Sequence, residues 1–153
     1  MKNFCDEMHE DCIGNLICHK KGVLINNKSI MLTAHMDEVG FIISYITNDG
    51  YLKFQTVGGI DPNVLISKKV VIGDNRICGV IGTKPIHQNK DSNDNIKISD
   101  LFIDIGANSK DEALKYVSTG DYACFDSDYV EFGDGFVKAK ALDDRVGCYN
   151  LIN

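Results

Sequence analysis

The chain has 153 residues, 44% hydrophobic and 25% charged, which suits one globular domain or two small ones with a sizeable core and excludes disorder, collagen and low complexity. Lys and Arg total 16 against 22 Asp and Glu, a formal charge of -6, so no cationic face is on offer to duplex DNA or RNA. The longest apolar run, Tyr122 to Phe125, is four residues, far short of the ~20 that a membrane helix needs. No nucleic-acid or membrane partner is expected.

The amino terminus, MKNFCDEMHED, has no apolar segment and turns acidic early, which predicts no signal peptide and a cytoplasmic location. The cysteines Cys5, Cys12, Cys18, Cys78, Cys124 and Cys148 form no CxxC pair. Several sit in apolar runs, where a thiol acts as a small hydrophobe, so they read as reduced thiols. A Cys-ligated zinc site is the functional alternative.

Short β-rich runs separated by Gly, Asn and Asp dominate the first two thirds. Ser29 to Ala34 is apolar on consecutive positions, predicting a strand covered on both faces, as in a parallel or mixed α/β sheet. Val39 to Thr47 and Tyr51 to Val57 flank Asn48, Asp49 and Gly50, a hairpin signal because these residues tolerate positive φ. Lys69 to Ile72 and Arg76 to Ile81 flank Gly73, Asp74 and Asn75 in the same way, so a small antiparallel sheet or barrel is expected.

Gln88 to Ile96 is polar and reads as a surface loop. Asp100 to Ile105 alternates, with Leu101, Ile103 and Ile105 on one face, and Gly106 ends that strand. Ser109 and Glu112 form a capping box ahead of a short helix that ends near Gly120. A last strand, Phe136 to Leu142, leads through Asp143, Asp144 and Arg145 into the first turns of a helix over Val146 to Ile152. That apolar pattern runs on to Asn153 and reads as an interrupted domain, and no internal repeat is present.

Of the four histidines His9, His19, His35 and His87, only His35 follows a buried-type strand directly, where open α/β sheets gather their sites. In extended chain, positions i and i+2 share a side, so Asp37 can accept from the second imidazole nitrogen. His35 is then a candidate metal ligand and Asp37 its orienting partner. A His-Asp pair that merely satisfies itself at a turn fits the same spacing. Asp143 and Asp144 repel each other and are held together by a cation or by a helix N-terminus, so a bridging metal carboxylate and a helix cap both stay open. His87 reads as structural or surface, and Arg145 as a local charge partner of the two aspartates.

The blocks AHMDEVGF (34–41), GGID (58–61), GVIGTKPIH (79–87), DLFIDIGANSKDEA (100–113) and KAKALDDRVGC (138–148) resemble, in order and spacing, the tetrahedral aminopeptidases. These are co-catalytic metallopeptidases, also called glutamyl or deblocking aminopeptidase, cellulase M or endoglucanase. The resemblance covers nearly the whole chain, from DCIGNL (11–16) to Asn153. It implies an α/β catalytic domain, incomplete in this mostly β chain and formed by 1–38 and 135–153, with a small β-barrel-like (PDZ-like) dimerisation domain inserted at 39–134. It further implies hydrolysis of peptides with a free N-terminus, assisted by two divalent ions, Zn or Co. His35 would ligate one ion, Asp143 would bridge both, Asp37 would fix the His35 tautomer, and Asp144 would shape the turn. Family-type dimers that build a dodecamer are implied as partners.

Compared with that family, the chain lacks the Glu-Glu pair whose first member is the general base and whose second is a ligand, together with a later carboxylate and His. Its five glutamates, Glu7, Glu10, Glu38, Glu112 and Glu131, are never adjacent and all precede Asp143. The helix that precedes the DCIGNL strand in the family is expected to be missing as well. The chain alone is therefore expected to be inactive and to hold metal weakly or not at all. It reads as a fragment, a broken gene product or one half of a two-chain enzyme, and the exposed edges of its catalytic sheet are expected to drive self-association. The alternative function is a non-catalytic assembly or binding module formed by the inserted β domain.

Overall fold

In the computed structural model, which describes residues 2–23, 28–83 and 96–153, the β-rich runs between Val39 and Phe125 close into a six-strand barrel. The strands of the chain are β1 (Glu7–Glu10), β2 (Leu16–His19), β3 (Gly40–Ile46), β4 (Leu52–Val57), β5 (Lys69–Ile72), β6 (Ile77–Thr83), β7 (Leu101–Asp104), β8 (Tyr122–Phe125), β9 (Val130–Phe132) and β10 (Phe136–Lys138). The barrel runs β3-β4-β7-β6-β5-β8 and returns to β3, with every pairing antiparallel. Closure leaves no free edge, which is the usual solution for a small antiparallel sheet.

Side-chain alternation explains the core. Phe41 and Ile43 of β3 point inward, and a register shift between Ile43 and Tyr45 then puts Tyr45 outside and Ile46 inside. Leu52 and Phe54 of β4, Val70 and Ile72 of β5, Ile81 of β6, Leu101 and Ile103 of β7 and Ala123 of β8 add to the interior. The Phe41 ring meets Phe54 and Phe125 edge-on, each at 5.1 Å between centroids, a favoured aromatic geometry. Both expected hairpins form. The Thr47 amide donates to the Tyr51 carbonyl around Gly50 at φ +87°, and the Arg76 amide donates to the Gly73 carbonyl.

The Ser109 box caps α1 (Lys110–Ala113), where Ser109 Oγ accepts from the Glu112 amide and Glu112 reaches back to the Asn108 amide. Regular helix stops well before Gly120, with a looser turn carrying Val117 into the core. His87 and residues 88–95 of the expected polar loop lie outside the described residues.

The chain divides into two compact units, Glu38–Lys140 and Met1–Asp37 with Ala141–Asn153. The first holds the barrel and the β9–β10 hairpin, whose turn contains the expected boundary at 134/135. The second holds the β1–β2 hairpin and α2 (Leu142–Ile152), and no described side chain in it is buried. Two expectations are corrected here. Residues 29–34 form no ladder, because no described strand pairs with them, and Ile30, Met31 and Leu32 stay exposed. The last strand stops at Lys138 rather than Leu142, since Ala141 takes the left-handed conformation at φ 56° and breaks the extended run, whereas the expected helix over 146–152 forms, its regular turns following the non-helical Asp143 and Asp144.

Candidate metal centre

At the start of α2 the two adjacent aspartates make different contacts. Asp143 (φ -88°, ψ 107°) and Asp144 (φ -125°, ψ 38°) depart from helical geometry, and the peptide bond between them is cis. Asp144 turns back along the helix, where its Oδ1 accepts from the Gly147 amide at 3.1 Å, the three-residue spacing of an N-terminal cap. A β-carbon on Gly147 would overlap that carboxylate, so the absence of a side chain there makes room for the cap. Asp143 is left to face the other way, towards His35.

His35 lies between two carboxylates. Its Nε2 is 3.2 Å from Asp143 Oδ1, and its Nδ1 is 3.3 Å from Asp37 Oδ1 and 3.2 Å from the Asp37 carbonyl. The Nδ1 contact to that carbonyl is the main cause that lifts the His35 pKa above its ordinary value. Partial burial opposes the lift, and the charges of Asp37, Asp143 and Asp144 add to it. The structure thus brings together all three of the residues singled out from the sequence, and it places Asp144 in the cap.

Two further contacts hold this arrangement and were not foreseen. Arg145 Nε donates to the Met36 carbonyl and Cys148 Sγ to the His35 carbonyl, each at 3.3 Å. Positions 145 and 148 are three apart and share one face of α2, so the pair ties the His35 segment along the helix. The i, i+3 spacing was visible in the sequence, but its target was not. Arg145, expected to pair with the aspartates, makes this backbone contact instead.

The donor spacing suits a cation. Two ligand atoms bound to one zinc at about 2.0–2.1 Å with a tetrahedral angle stand ~3.3 Å apart, close to the 3.2 Å between Nε2 and Oδ1. An Nδ1 hydrogen-bonded to a carboxylate is also the usual state of a ligating histidine. Among the described residues no third His, Cys, Asp or Glu joins the pair. An open cleft of about 470 Å³ on the barrel, bordered by Lys69, Cys78, Asp104 and Asp126, includes none of His35, Asp37 and Asp143. No described helix is long and apolar enough to cross a membrane.

The profile of the M42 glutamyl aminopeptidase family matches residues 14–153. A putative aminopeptidase of Acetivibrio thermocellus is 42% identical over 97% of this chain and 42% of its own length. A TET aminopeptidase from a marine sediment archaeon of the Thaumarchaeota superposes with a TM-score of 0.84 at 35% identity, over 99% of this chain and 44% of that one. A TET peptidase of Pyrococcus horikoshii, which can assemble into a tetrahedron or a large octahedral shell, superposes at 0.76 with 39% identity, over 99% of this chain and 46% of that one. The chain therefore spans less than half the length of these relatives. With the profile matched over nearly the whole chain, the chain belongs to the M42 glutamyl aminopeptidase family.

Proposed function

We propose that the protein containing this chain is a metal-dependent aminopeptidase acting on peptides with a free N-terminus, to which the chain supplies two metal donors, His35 and Asp143, and the orienting residue Asp37. The observation that carries this reading is the 3.2 Å approach of His35 Nε2 to Asp143 Oδ1 while Nδ1 rests on Asp37. Divalent zinc or cobalt, two ions in the complete site, supplies an acidified water and an electrophile for the peptide carbonyl when bound. Asp37 keeps the proton on Nδ1, which frees the Nε2 lone pair. Asp143 turns one oxygen to His35, and its other oxygen would be available to a second ion, the bridging role that the family resemblance implies. The general base, a glutamate, and the other donors come from residues outside this stretch, so the stretch alone is inactive. The six cysteines, none of them disulfide-bonded, fit a reducing, cytoplasmic setting.

We further assign residues 1–38 and 135–153 to an α/β catalytic domain and 39–134 to an inserted, PDZ-like dimerisation domain. Support comes from the uneven burial: the barrel unit has a full core, and the other unit has no buried described side chain. The test is hydrolysis of aminoacyl-nitroanilides by the purified chain with added zinc or cobalt, with bound metal quantified in the same sample. No turnover is expected, with weak metal retention that His35→Ala and Asp143→Ala abolish and Asp37→Asn weakens by about 10–100-fold. Turnover lost in both alanine variants would overturn the assignment of inactivity, and metal retention indifferent to both would overturn the donor assignment.

The complete core of the barrel also favours a second reading, in which this part of the chain serves assembly. Sedimentation across a concentration series is expected to show self-association. A monomer at every concentration would end that reading.

A further inference from the structure

The chain passes between the two compact units twice, at Asp37–Glu38 and at Lys140–Ala141. The residues on the barrel side of those two crossings meet: the Lys140 ammonium donates to Glu38 Oε1 in a close ion pair and to the Phe125 carbonyl at 3.3 Å. Their side chains are only 35% and 28% exposed, unlike the other Lys–carboxylate pair among the described residues, Lys21 with Glu7, at 70% and 68%. Phe125 ends β8, and β8 pairs with β3 through Phe41 opposite Ala123 and Ile42 opposite Tyr122. The pair thus rests on a barrel strand that also anchors the chain leaving Glu38. His35 lies three residues before Glu38, and Asp143 lies three residues after Lys140.

We propose that the Lys140–Glu38 ion pair, seated on the Phe125 carbonyl, is a positioning clamp that pins both crossings and so sets the approach of His35 to Asp143. Neither residue touches the imidazole. Asp37 is bonded to Glu38, and Lys140 leads through Ala141 and Leu142 to Asp143, so both arms of the site start from one fixed point. Burial by itself would lower the Lys140 pKa, but its hydrogen bonds to Glu38 and to the Cys124 thiol, with their charges, hold it above the ordinary lysine value. The ammonium is therefore charged throughout the physiological range. The proposal rests on reading His35 and Asp143 as metal donors for its purpose but not for its geometry.

The test compares Lys140→Met, Lys140→Arg and Glu38→Gln in the full chain. The first readout is the set of His35 ring-nitrogen and ring-proton NMR signals without metal, and the second is zinc affinity by chelator competition. The Phe41 and Ala123 amide signals report whether the barrel is intact. Lys140→Met and Glu38→Gln are expected to broaden or shift the His35 ring signals in the same direction and to weaken zinc binding about tenfold, with barrel amides unchanged. Lys140→Arg, which keeps the charge and the donors, is expected to restore both. Direct charge effects would move the ring signals oppositely, because one variant removes a cation and the other an anion. That outcome, or native ring signals in both variants, would overturn the clamp. Because the ring readout needs no ion, failure of the parent chain to take up zinc would sink the metal reading and leave the clamp to be decided by the ring signals.

Discussion

At the scale of single residues, the aspartates show how the backbone assigns chemistry. Asp143 and Asp144 are equivalent in composition, yet one faces His35 and the other caps a helix. Removing the cap as Asp144→Ala should cost about 0.5–2 kcal/mol of helix stability. Gly147→Ala should act in the same direction, because the added carbon takes the space of the carboxylate. Amide exchange along α2 is expected to quicken in both variants, and unchanged exchange would show that the cap does not hold the helix. Asp11 offers a pH counterpart. The Asn15 amide and then its side-chain amide, at 2.9 and 2.8 Å, with the Ile13 amide at 3.0 Å, hold its pKa below the ordinary carboxylate range. A depressed folded value means that the contribution is complete above the unfolded value, about 3.9, and is lost as pH falls through the folded one. The Asn15 and Ile13 amide signals should therefore move only as pH falls below the ordinary carboxylate range and lose that step in Asp11→Asn. Movement at neutral pH would exclude the carboxylate as its source.

Among the elements, β3 and β8 matter most, because their pairing closes the barrel. A β-carbon on Gly40 would lie 2.8 Å from the Ala123 carbonyl oxygen, a backbone atom that has no flexible side chain to move aside. Gly40→Ala should therefore open the β3–β8 seam, lowering the urea midpoint and exposing the Phe41 and Ile42 amides. A midpoint equal to the parent's would show that the seam can yield. The same strands show what the sequence made legible. The turns at Gly50 and Gly73 were readable because local chemistry alone specifies them, and the alternation of Leu101 and Ile103 told which face is buried. The register shift after Ile43 was not readable, since nothing in Ser44 or Tyr45 marks an extra residue. Nor was the loss of the strand at 29–34, because a ladder depends on a partner elsewhere and an apolar run reports only the wish for one. The site followed the same division. His35 and Asp37 are two apart and could be paired by inspection, whereas the approach of Asp143 depends on long-range contacts from Arg145 and Cys148 that no local pattern encodes.

Across the whole molecule, cohesion is unevenly shared. The buried hydrophobic side chains of the described residues, from Phe41 to Ala123, all belong to Glu38–Lys140. In the other unit Ile30, Met31 and Leu32 are 88%, 86% and 70% exposed, and Leu142, Val146 and Tyr149 of α2 are exposed as well. Burying a large aliphatic side chain contributes about 1.5–3 kcal/mol, so the barrel unit draws on a source of stability that the other unit lacks. Local opening follows the same order, because segments with few buried contacts open at low free energy. Limited proteolysis should then cut within 28–37 and 141–153 before it cuts the strands of the barrel, giving early products that begin near Glu38 or end near Lys140, as mass spectrometry would read them. Phe41→Ala removes the ring that meets both Phe54 and Phe125 and should cost about 3–5 kcal/mol, enough to make the barrel susceptible too. Cleavage that starts inside the barrel of the parent chain would mean that its core does not carry the stability assigned to it. Loss of resistance in Phe41→Ala with no change in the early cuts would show that the two units open independently.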